Sequence, residues 1–216
     1  MKNIMLIAPP AAGKGTQAEI LEKKYKIPHI STGDILRDVS KEDSEIGNYV
    51  REILASGNLV KDEITYELVK ERLSKNDCKN GYIIDGFPRN FEQALAYDNI
   101  LDEIGYDVGI VIVIDIDKET LEKRIIGRRI CDNCHAVYNI NEEDKRPKEE
   151  SICDKCGGKL YQRSDDNLES FNTRFETFLE HTYPLVDYYE KENVLYRVKS
   201  VDVDNTMKEI EAIIND

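Results

Sequence analysis

Short apolar runs alternate along the chain with longer segments in which apolar residues return every three or four positions. The runs have the length of strands and cover residues 4–7, 27–30, 82–85, 109–116 and 194–198. Run 109–116 is rich in β-branched residues and apolar on both faces, which is typical of a parallel strand with helices on either side. Strands that alternate with helices predict a three-layer α/β fold with a parallel sheet and right-handed crossovers.

Cap and turn residues set the predicted ends of several helices. One helix ends at Gly57, a residue suited to the left-handed conformation that follows a helix. Another helix is predicted at 91–104, and Pro184 interrupts a helical segment that follows Asp165 and Asp166. Both aspartates are predicted as N-caps, because a carboxylate accepts a bond from the free N–H groups of a first turn.

The first strand leads through small residues and prolines into Gly13-Lys14-Gly15-Thr16, which opens a helical pattern. This arrangement can cradle a phosphate, since backbone N–H groups and the positive end of the helix dipole face the anion. The usual pattern is G-x-x-x-x-G-K-[ST]. The chain departs from it twice, because Ala8 replaces the first glycine and Gly15 precedes Thr16. The loop alone therefore leaves the phosphate site as a hypothesis.

The net charge of −13 argues against a nucleic-acid-binding protein, which usually carries a basic stripe. The arginines are nevertheless clustered: Arg124, Arg128 and Arg129 lie together, and Arg89 follows Gly-Phe-Pro. This pattern favours a small anionic ligand over a polyanion. No apolar run reaches the length of a membrane span, and the chain opens directly with a strand. A cytoplasmic location without membrane or nucleic-acid partners is expected.

Four of the five cysteines form two C-x-x-C pairs, Cys131 with Cys134 and Cys153 with Cys156, separated by 18 residues. Two such turns can complete a tetrahedron of thiolates around Zn²⁺, and a site closed by four thiolates is structural rather than catalytic. Iron fits the same ligands. The first pair, followed by histidine, also matches the attachment pattern of c-type haem, which the second pair disfavours. The insert at 127–164 is too small for a core of its own and is predicted to fold around the metal.

Five motifs carry a resemblance that extends through the whole chain. They are Gly13-Lys14-Gly15-Thr16-Gln17, Ser31-Thr32-Gly33-Asp34-Ile35-Leu36-Arg37, Asp85-Gly86-Phe87-Pro88-Arg89, Arg124-Ile125-Ile126-Gly127-Arg128-Arg129 and Arg163-Ser164-Asp165-Asp166. Together they resemble adenylate kinase, and more narrowly its long bacterial form with a zinc-binding lid. The most specific of the five is Asp-Gly-Phe-Pro-Arg.

The resemblance implies the P-loop nucleoside monophosphate kinase fold, with a parallel five-stranded sheet and two inserted mobile domains. The core would comprise residues 1–30, 61–126 and 165–216, the AMP-binding domain 31–60, and the zinc-binding lid 127–164. The implied reaction is reversible phosphoryl transfer from Mg-ATP to AMP, giving two ADP. Such transfer depends on positioning and charge stabilisation rather than on a covalent intermediate. The family expectation is a monomer, and Gly127 and the 164–165 region are predicted as lid hinges.

Site residues are implied by the same motifs. On the ATP side they are Ala11, Ala12, Gly13, Lys14, Gly15, Thr16, Arg124 and Arg128, with Val137, Tyr138 and Asp202 near the base or ribose. On the AMP side they are Thr32, Arg37, Asn58, Leu59, Val60, Gly86, Phe87, Pro88, Arg89, Gln93, Arg163 and Arg174. Catalysis would depend on Lys14, Asp85, Arg89, Arg124, Arg128, Arg163 and Arg174. Thr16 and Asp85 would lie near Mg²⁺, and Asp165 and Asp166 would orient lid arginines.

Two other functions stay open from the sequence. A kinase for UMP, CMP or GMP would share the fold, because base preference depends on few contacts such as those of Thr32 and Gln93. A zinc-ribbon binding module on an inactive P-loop is the alternative from another class. The acidic charge opposes its binding to nucleic acid, and the retained arginines oppose an inactive site.

Three further expectations concern individual residues or short runs. Ala8 and Ala11 stand where the family usually has glycine. Since a methyl group at a left-handed position costs about 1 kcal/mol, both alanines are predicted to have negative φ, with methyl groups pointing away from the phosphates. The charged run 142–145 is predicted to be solvated surface. His29 is expected at a strand end without a catalytic role.

Overall fold

A computed structural model describes residues 2–216 of the chain. Its strands are Ile4–Ile7 (β1), His29–Ser31 (β2), Ile83–Asp85 (β3), Ile110–Asp115 (β4), Arg128–Cys131 (β5), Val137–Asn139 (β6), Leu160–Tyr161 (β7) and Leu195–Lys199 (β8). Its α-helices are Lys14–Tyr25 (α1), Thr32–Val39 (α2), Glu45–Ser56 (α3), Asp62–Leu73 (α4), Phe91–Ile104 (α5), Lys118–Gly127 (α6), Leu168–Thr177 (α7), Leu185–Lys191 (α8) and Val203–Asn215 (α9). Short 3₁₀ turns lie at Asn76–Asn80 and Glu143–Lys145, and a π-helical turn at Phe178–Thr182 follows α7.

The central sheet has five parallel strands in the order β2-β3-β1-β4-β8. Alternate residues of β1 enter different core clusters: Ile4 and Leu6 pack in one, Met5 and Ile7 in the other, and β3 and β4 divide their residues in the same way. Helices therefore cover both faces of the sheet, and the predicted three-layer fold is confirmed. Parallel strands end at one edge, so the loops after β1, β2, β3 and β4 meet there, where open α/β sheets bind ligands.

Two smaller units project from this core. Strands β5, β6 and β7 form an antiparallel sheet in the order β6-β5-β7 within the predicted lid. Helices α2 and α3 follow β2 and pack around Leu36, Val50 and Val60. Helix α3 ends at Gly57, whose φ is 79°, as the sequence predicted. None of the helices within residues 2–216 is long and apolar enough to cross a bilayer.

Candidate active site

The loop between β1 and α1 directs the start of α1 toward the carboxyl edge of the sheet. Gly13 precedes the helix with a φ of 93°, and none of the described side chains caps it. The first N–H groups of α1 are thus left for an anion. A Cβ atom on Gly13 or Gly15 would meet nothing within 4 Å, so the space beside this backbone is open. The Lys14 Nζ donates to the Ala8 carbonyl at 2.9 Å.

A cleft of about 790 Å³ lies at this edge and collects cationic side chains from separate parts of the chain. They come from α1, α2, the loop after β3, α6, β5, the segment after β7, and α7. The concentration of positive charge contrasts with the net charge of −13. Clustered cations in a cleft attract small anions and hold them strongly. The lining cations include Lys14, Arg37, Arg89, Arg124, Arg128, Arg163 and Arg174, and Lys23, Lys41 and Lys145 also line the cleft.

Several of these arginines are oriented by carboxylates. Arg128 forms a two-point pair with Asp166, whose side chain is fully buried, and its Nε lies 2.8 Å from Asp166 Oδ2. The Arg174 Nη1 donates to Asp165 at 2.8 Å. A planar guanidinium held in this way keeps donors free in a fixed direction, as phosphate recognition requires.

Asp34 joins two further arginines across the cleft. Its Oδ1 accepts from Arg37 Nη2 at 2.6 Å and lies 3.4 Å from Arg163 Nη2. Asp34 belongs to α2, whereas Arg163 belongs to the segment that follows β7. The carboxylate thus connects the predicted AMP-binding domain with the predicted lid.

The arginines in the cleft also repel one another. Burial, together with Arg37 and Arg128, lowers the pKa of Arg163 to about 10. Burial lowers the pKa of Arg174 to about 10 as well; Asp165 opposes this shift, and Arg128 and Arg89 add to it. Both groups stay charged at neutral pH. An anion between them would relieve the repulsion, so the site favours ligands with several phosphate groups.

Asp85 is the buried carboxylate at the end of β3. Burial alone would raise its pKa, but Lys14, His29 and Arg89 outweigh burial and hold the pKa well below its usual value. The Lys14 Nζ lies 3.4 Å from Asp85 Oδ1. Asp85 is therefore ionised throughout the physiological range and can offer oxygen to a hard cation.

A second, smaller cavity of about 90 Å³ adjoins the cleft and shares several residues with it. The shared residues include Lys14, Gly86, Arg89 and Arg174. Among the predicted AMP-side residues, Leu59 and Pro88 also line this cavity, whereas Asn58, Val60 and Phe87 do not.

Thr32 and Gln93, the predicted contacts to the AMP base, are bonded within the protein. The Thr32 hydroxyl donates to the Gly86 carbonyl at 2.7 Å. The Gln93 amide accepts from Arg89 N–H at 2.8 Å and donates to Asp62 at 2.6 Å. Both side chains are buried and hold the loop that follows β3.

Val137, Tyr138 and Asp202, the predicted neighbours of the ATP base, all line the large cleft. Asp202 also caps α9 by accepting from Asn205 N–H at 2.8 Å. The ring of Tyr138 is buried in the small core of the predicted lid, and its hydroxyl reaches Cys153 rather than the cleft.

The four paired cysteines meet at one point. All four Sγ atoms lie within 4.8 Å of one another, and the pairs Cys131–Cys156 and Cys134–Cys153 are each separated by 3.5 Å. This is too far for a disulfide, which needs about 2.05 Å. It is close to the roughly 3.8 Å between sulfurs of a tetrahedron with Zn–S bonds of about 2.3 Å. The donor set fits a tetrahedral metal such as zinc or iron.

Comparison with known proteins agrees with this geometry. The family profile described as "Adenylate kinase" matches residues 6–194. The adenylate kinase of Thermosipho africanus is 48% identical over 213 residues, covering 98% of this chain and 99% of that protein. Those of Archaeoglobus fulgidus and Clostridioides difficile are each 46% identical, covering 98% of this chain and 97% of each relative. The chain belongs to the adenylate kinase family. It is an enzyme of that family, as its motifs predicted.

One prediction about the P-loop of this adenylate kinase family member is wrong. Ala11 has a positive φ of 65°. Ala12 N–H donates to the Pro9 carbonyl at 3.3 Å, which closes a turn with Pro10 second and Ala11 third. A turn of type II favours proline at its second position and requires positive φ at its third, so the loop keeps the conformation suited to glycine. Ala8 has no positive φ, as predicted, and its side chain is buried in the core.

Ala11→Gly is expected to leave the protein more stable than Ala8→Gly by about 1–2 kcal/mol. Glycine removes the left-handed strain at position 11. At position 8 the backbone is unstrained. Substitution by glycine there removes a buried methyl group and raises the conformational entropy of the unfolded chain, and both effects lower the stability of the fold. Denaturant unfolding of the two variants measures the difference. Equal destabilisation by both would contradict the assigned turn.

The prediction that Asp165 and Asp166 cap a helix is also wrong for this adenylate kinase family member. Asn167 caps α7, because its side chain accepts from Ser170 N–H at 2.9 Å. The helix begins one residue later than predicted. The two carboxylates turn toward Arg174 and Arg128 instead, so the expectation that they orient arginines is met.

Sequence reasoning missed Glu142, which was predicted to be solvated surface. Glu142 is half-buried and lines the cleft. Its carboxylate accepts from Arg124 Nε at 2.8 Å and from Lys145 Nζ at 2.6 Å. In the sequence, Glu142 looks like part of the charged run 142–145. What distinguishes it from the rest of that run is its ion pair with Arg124 of α6, a contact between distant segments that a local sequence pattern does not predict.

His29 lies close to the buried Asp85 carboxylate. Its Nε2 is 3.7 Å from Asp85 Oδ2. Burial alone would lower the pKa of His29, but Asp85, with Asp34 and Glu22, outweighs burial and raises it. The folded protein therefore binds the histidine proton more tightly than the unfolded chain does.

His29→Gln is expected to destabilise the protein more at pH 5.5 than at pH 8.5. Because the pKa of His29 is raised by folding, its contribution is fully present below the ordinary value of about 6.5 and is lost as pH rises through the folded value. Asp85 stays ionised over this range and adds no pH dependence of its own. Unfolding curves of both proteins at the two pH values test this. An equal loss at both would show that the His29–Asp85 contact is not charged.

Proposed function

We propose that the enzyme reversibly transfers the γ-phosphoryl group of Mg-ATP to AMP and forms two ADP. The observation that carries the proposal is the cleft in which Lys14 and six arginines meet the open start of α1. ATP and AMP together carry about six negative charges at neutral pH, and the cation set matches that demand. The smaller cavity adjoining the cleft supports a second nucleotide beside the first.

On the ATP side, the backbone from Ala11 to Thr16 and the Lys14 ammonium would hold the phosphates. Arg128, fixed by Asp166, and Arg124, held by Glu142, would face the phosphates from the ATP side. The Arg124 Nη1 lies 3.4 Å from the Ser200 hydroxyl.

On the AMP side, Arg37 and Arg89 would grip the phosphate. Arg163 and Arg174 would approach the transferred group from the other wall. The Arg89 Nε donates to the Gly86 carbonyl at 2.6 Å, which fixes the guanidinium at the border of both cavities. Thr32 and Gln93 would influence the choice of base by holding the loop that ends in Arg89. Gln93 would also contact AMP directly after this loop changes conformation.

Chemistry in this site would need neither a covalent intermediate nor a general base. Fixed cations stabilise charge on the equatorial oxygens as the phosphoryl group passes between nucleotides. Mg²⁺ arrives with ATP and prefers oxygen ligands, which the Thr16 hydroxyl and the ionised Asp85 can supply, the latter through water. The low pKa of Asp85 keeps it in the required form.

Closure of the two inserted domains would exclude water from the γ-phosphate and prevent hydrolysis. We place the mobile segments at 31–60 and 127–164, with hinges at Gly127 and at 164–165. The Asp34–Arg163 contact supports this division, since it joins the two segments across the cleft. The enzyme would act as a monomer on free nucleotides.

The lid would be folded by zinc held between Cys131, Cys134, Cys153 and Cys156. A closed four-thiolate site offers no position for water, so the metal would serve structure alone. The small core cluster of this segment has five members, two of which are the cysteines Cys131 and Cys153, which supports the need for a metal.

A panel of nucleoside monophosphates tests the base preference. AMP, CMP, UMP and GMP are each supplied with Mg-ATP, and ADP formation is measured by a coupled assay. We expect kcat/KM for AMP to exceed that for each other monophosphate by at least about a hundredfold, because an unpaired polar contact to the wrong base is costly. Faster turnover with UMP, CMP or GMP would reassign the enzyme to another monophosphate.

A further inference from the structure

The hydroxyl of Tyr138 lies against one of the metal-site cysteines. Its oxygen is 3.4 Å from Cys153 Sγ, and no other partner of this hydroxyl is found within residues 2–216. The Tyr138 side chain is buried, as is Cys153. The two residues pack with Cys131, Ala136 and Leu160 in the small core of the lid. A phenol placed there must have a polar partner, because a buried hydroxyl without one is costly.

The direction of this bond is fixed once a metal is bound. A metal-bound cysteine is a thiolate and carries no proton, so only the tyrosine can donate. Four thiolates around a divalent ion also leave excess negative charge on the sulfurs. A hydrogen bond from a neutral donor reduces that charge without adding a ligand, as outer partners of metal ligands commonly do.

The strand that carries Tyr138 is anchored at its other end to α6. The Asn139 Nδ2 donates to the Arg124 carbonyl at 3.0 Å, and the Asn141 Nδ2 donates to the Lys123 carbonyl at 3.0 Å. The Arg124 carbonyl is one of those left free at the C-terminus of α6. A Cβ atom on Gly127 would lie 2.1 Å from Asn139 Oδ1, so the strand and helix end are in tight contact. Tyr138 is thus held in place from the core side.

We propose that Tyr138 is a positioning residue whose hydroxyl donates to the metal-bound Cys153 thiolate and retains the metal in the lid. The inference rests on the proposed lid metal. Tyr138 is neither a ligand nor a contact to the reacting phosphates. Tyr138 also lines the nucleotide cleft, while its hydroxyl contacts the metal-site cysteine, so this residue lies between the two sites.

Tyr138→Phe tests the proposal, because it removes one oxygen and keeps the ring that packs the lid. Zinc transfer from the intact protein to a chromogenic chelator is followed over time. The variant is expected to release zinc about tenfold faster than wild type, in line with the loss of other outer partners of metal ligands. Tyr161→Phe is the matched control in the same lid: Tyr161 is 41% exposed, and its hydroxyl has no described partner. Its release rate should equal that of wild type.

A spectroscopic measurement separates the hydrogen bond from simple loss of packing. With Co²⁺ in place of zinc, charge-transfer bands report the electron density on the thiolates. Loss of a donor to Cys153 should shift these bands to lower energy in Tyr138→Phe and not in Tyr161→Phe. Faster release without a shift would mean that the tyrosine acts only through packing and would overturn the proposal.

The outcomes also distinguish this inference from the metal assignment. If wild type binds about one zinc per chain and Tyr138→Phe releases it at the wild-type rate, only the tyrosine proposal falls. If wild type purified with zinc in the medium binds none, both fall. A tenfold faster release with the expected cobalt shift supports both.

Discussion

Lys14→Met is expected to lower kcat by at least about a thousandfold, equivalent to roughly 4 kcal/mol of transition-state stabilisation. Lys14 opens α1 and brings its ammonium to the Ala8 carbonyl and to Asp85, at 2.9 and 3.4 Å. Burial lowers the pKa of Lys14, yet Asp85 opposes the shift and keeps a paired cation in the cleft. Methionine has a similar length and no charge, so the phosphates would lose their nearest fixed cation at the P-loop.

Lys24→Met is the matched control for this experiment. Lys24 lies on the same helix, is exposed, and pairs only with Glu211 at the surface. Exposed pairs contribute little, so turnover should stay within about twofold of wild type. Circular dichroism should show both variants folded. If Lys14→Met retained more than a tenth of wild-type turnover, the assignment of this cleft as the catalytic site would be wrong.

Replacing Cys153 and Cys156 together by serine is expected to remove the metal and unfold the lid. Structural zinc contributes on the order of 10 kcal/mol to the folding of small metal sites, and the lid has few buried apolar residues to compensate. Activity should fall with it, because Arg128 and Arg163 lie at the two ends of this segment. The central sheet has its own core clusters and should stay folded.

Metal content by atomic emission and limited proteolysis measure the two effects. The double variant should lose about one zinc per chain, and cleavage should concentrate within 127–164. Cys78→Ser is the control, since Cys78 is buried against the central sheet, away from the cluster. It should keep the metal. About one zinc per chain retained by the double variant would contradict the four-cysteine site.

The parts of the fold that sequence reasoning predicted are those with local causes. Helix α5 covers the predicted range because Asn90 caps its start and Gly105, with a φ of 73°, ends it. The strand in 109–116 follows from an apolar run that can only be buried on both faces. The cysteine cluster follows from spacing alone. In each case a few residues that are neighbours in the sequence determine the local structure.

What the sequence could not predict depends on contacts between distant segments. Glu142 pairs with Arg124, and among the lid arginines Asp166 pairs with Arg128 in particular; both pairs join elements that meet only after folding. An aspartate before a helix can either cap that helix or pair with an arginine. Which of the two it does depends on whether folding brings an arginine close to its carboxylate. Ala11 differs from these pairs because the cause is local. Pro9, Pro10 and the turn that they form hold Ala11 in a conformation that alanine itself disfavours.

The stoichiometry of the reaction is the most direct test of phosphoryl transfer between two nucleotides. Purified protein is incubated with Mg-ATP and AMP, and all nucleotides and inorganic phosphate are quantified by ion-exchange chromatography. Phosphoryl transfer from ATP to AMP should give two ADP for each ATP consumed, no matching release of inorganic phosphate, and almost no ADP when AMP is omitted. Inorganic phosphate released in proportion to ATP loss, or ADP formed equally well without AMP, would contradict transfer between two nucleotides.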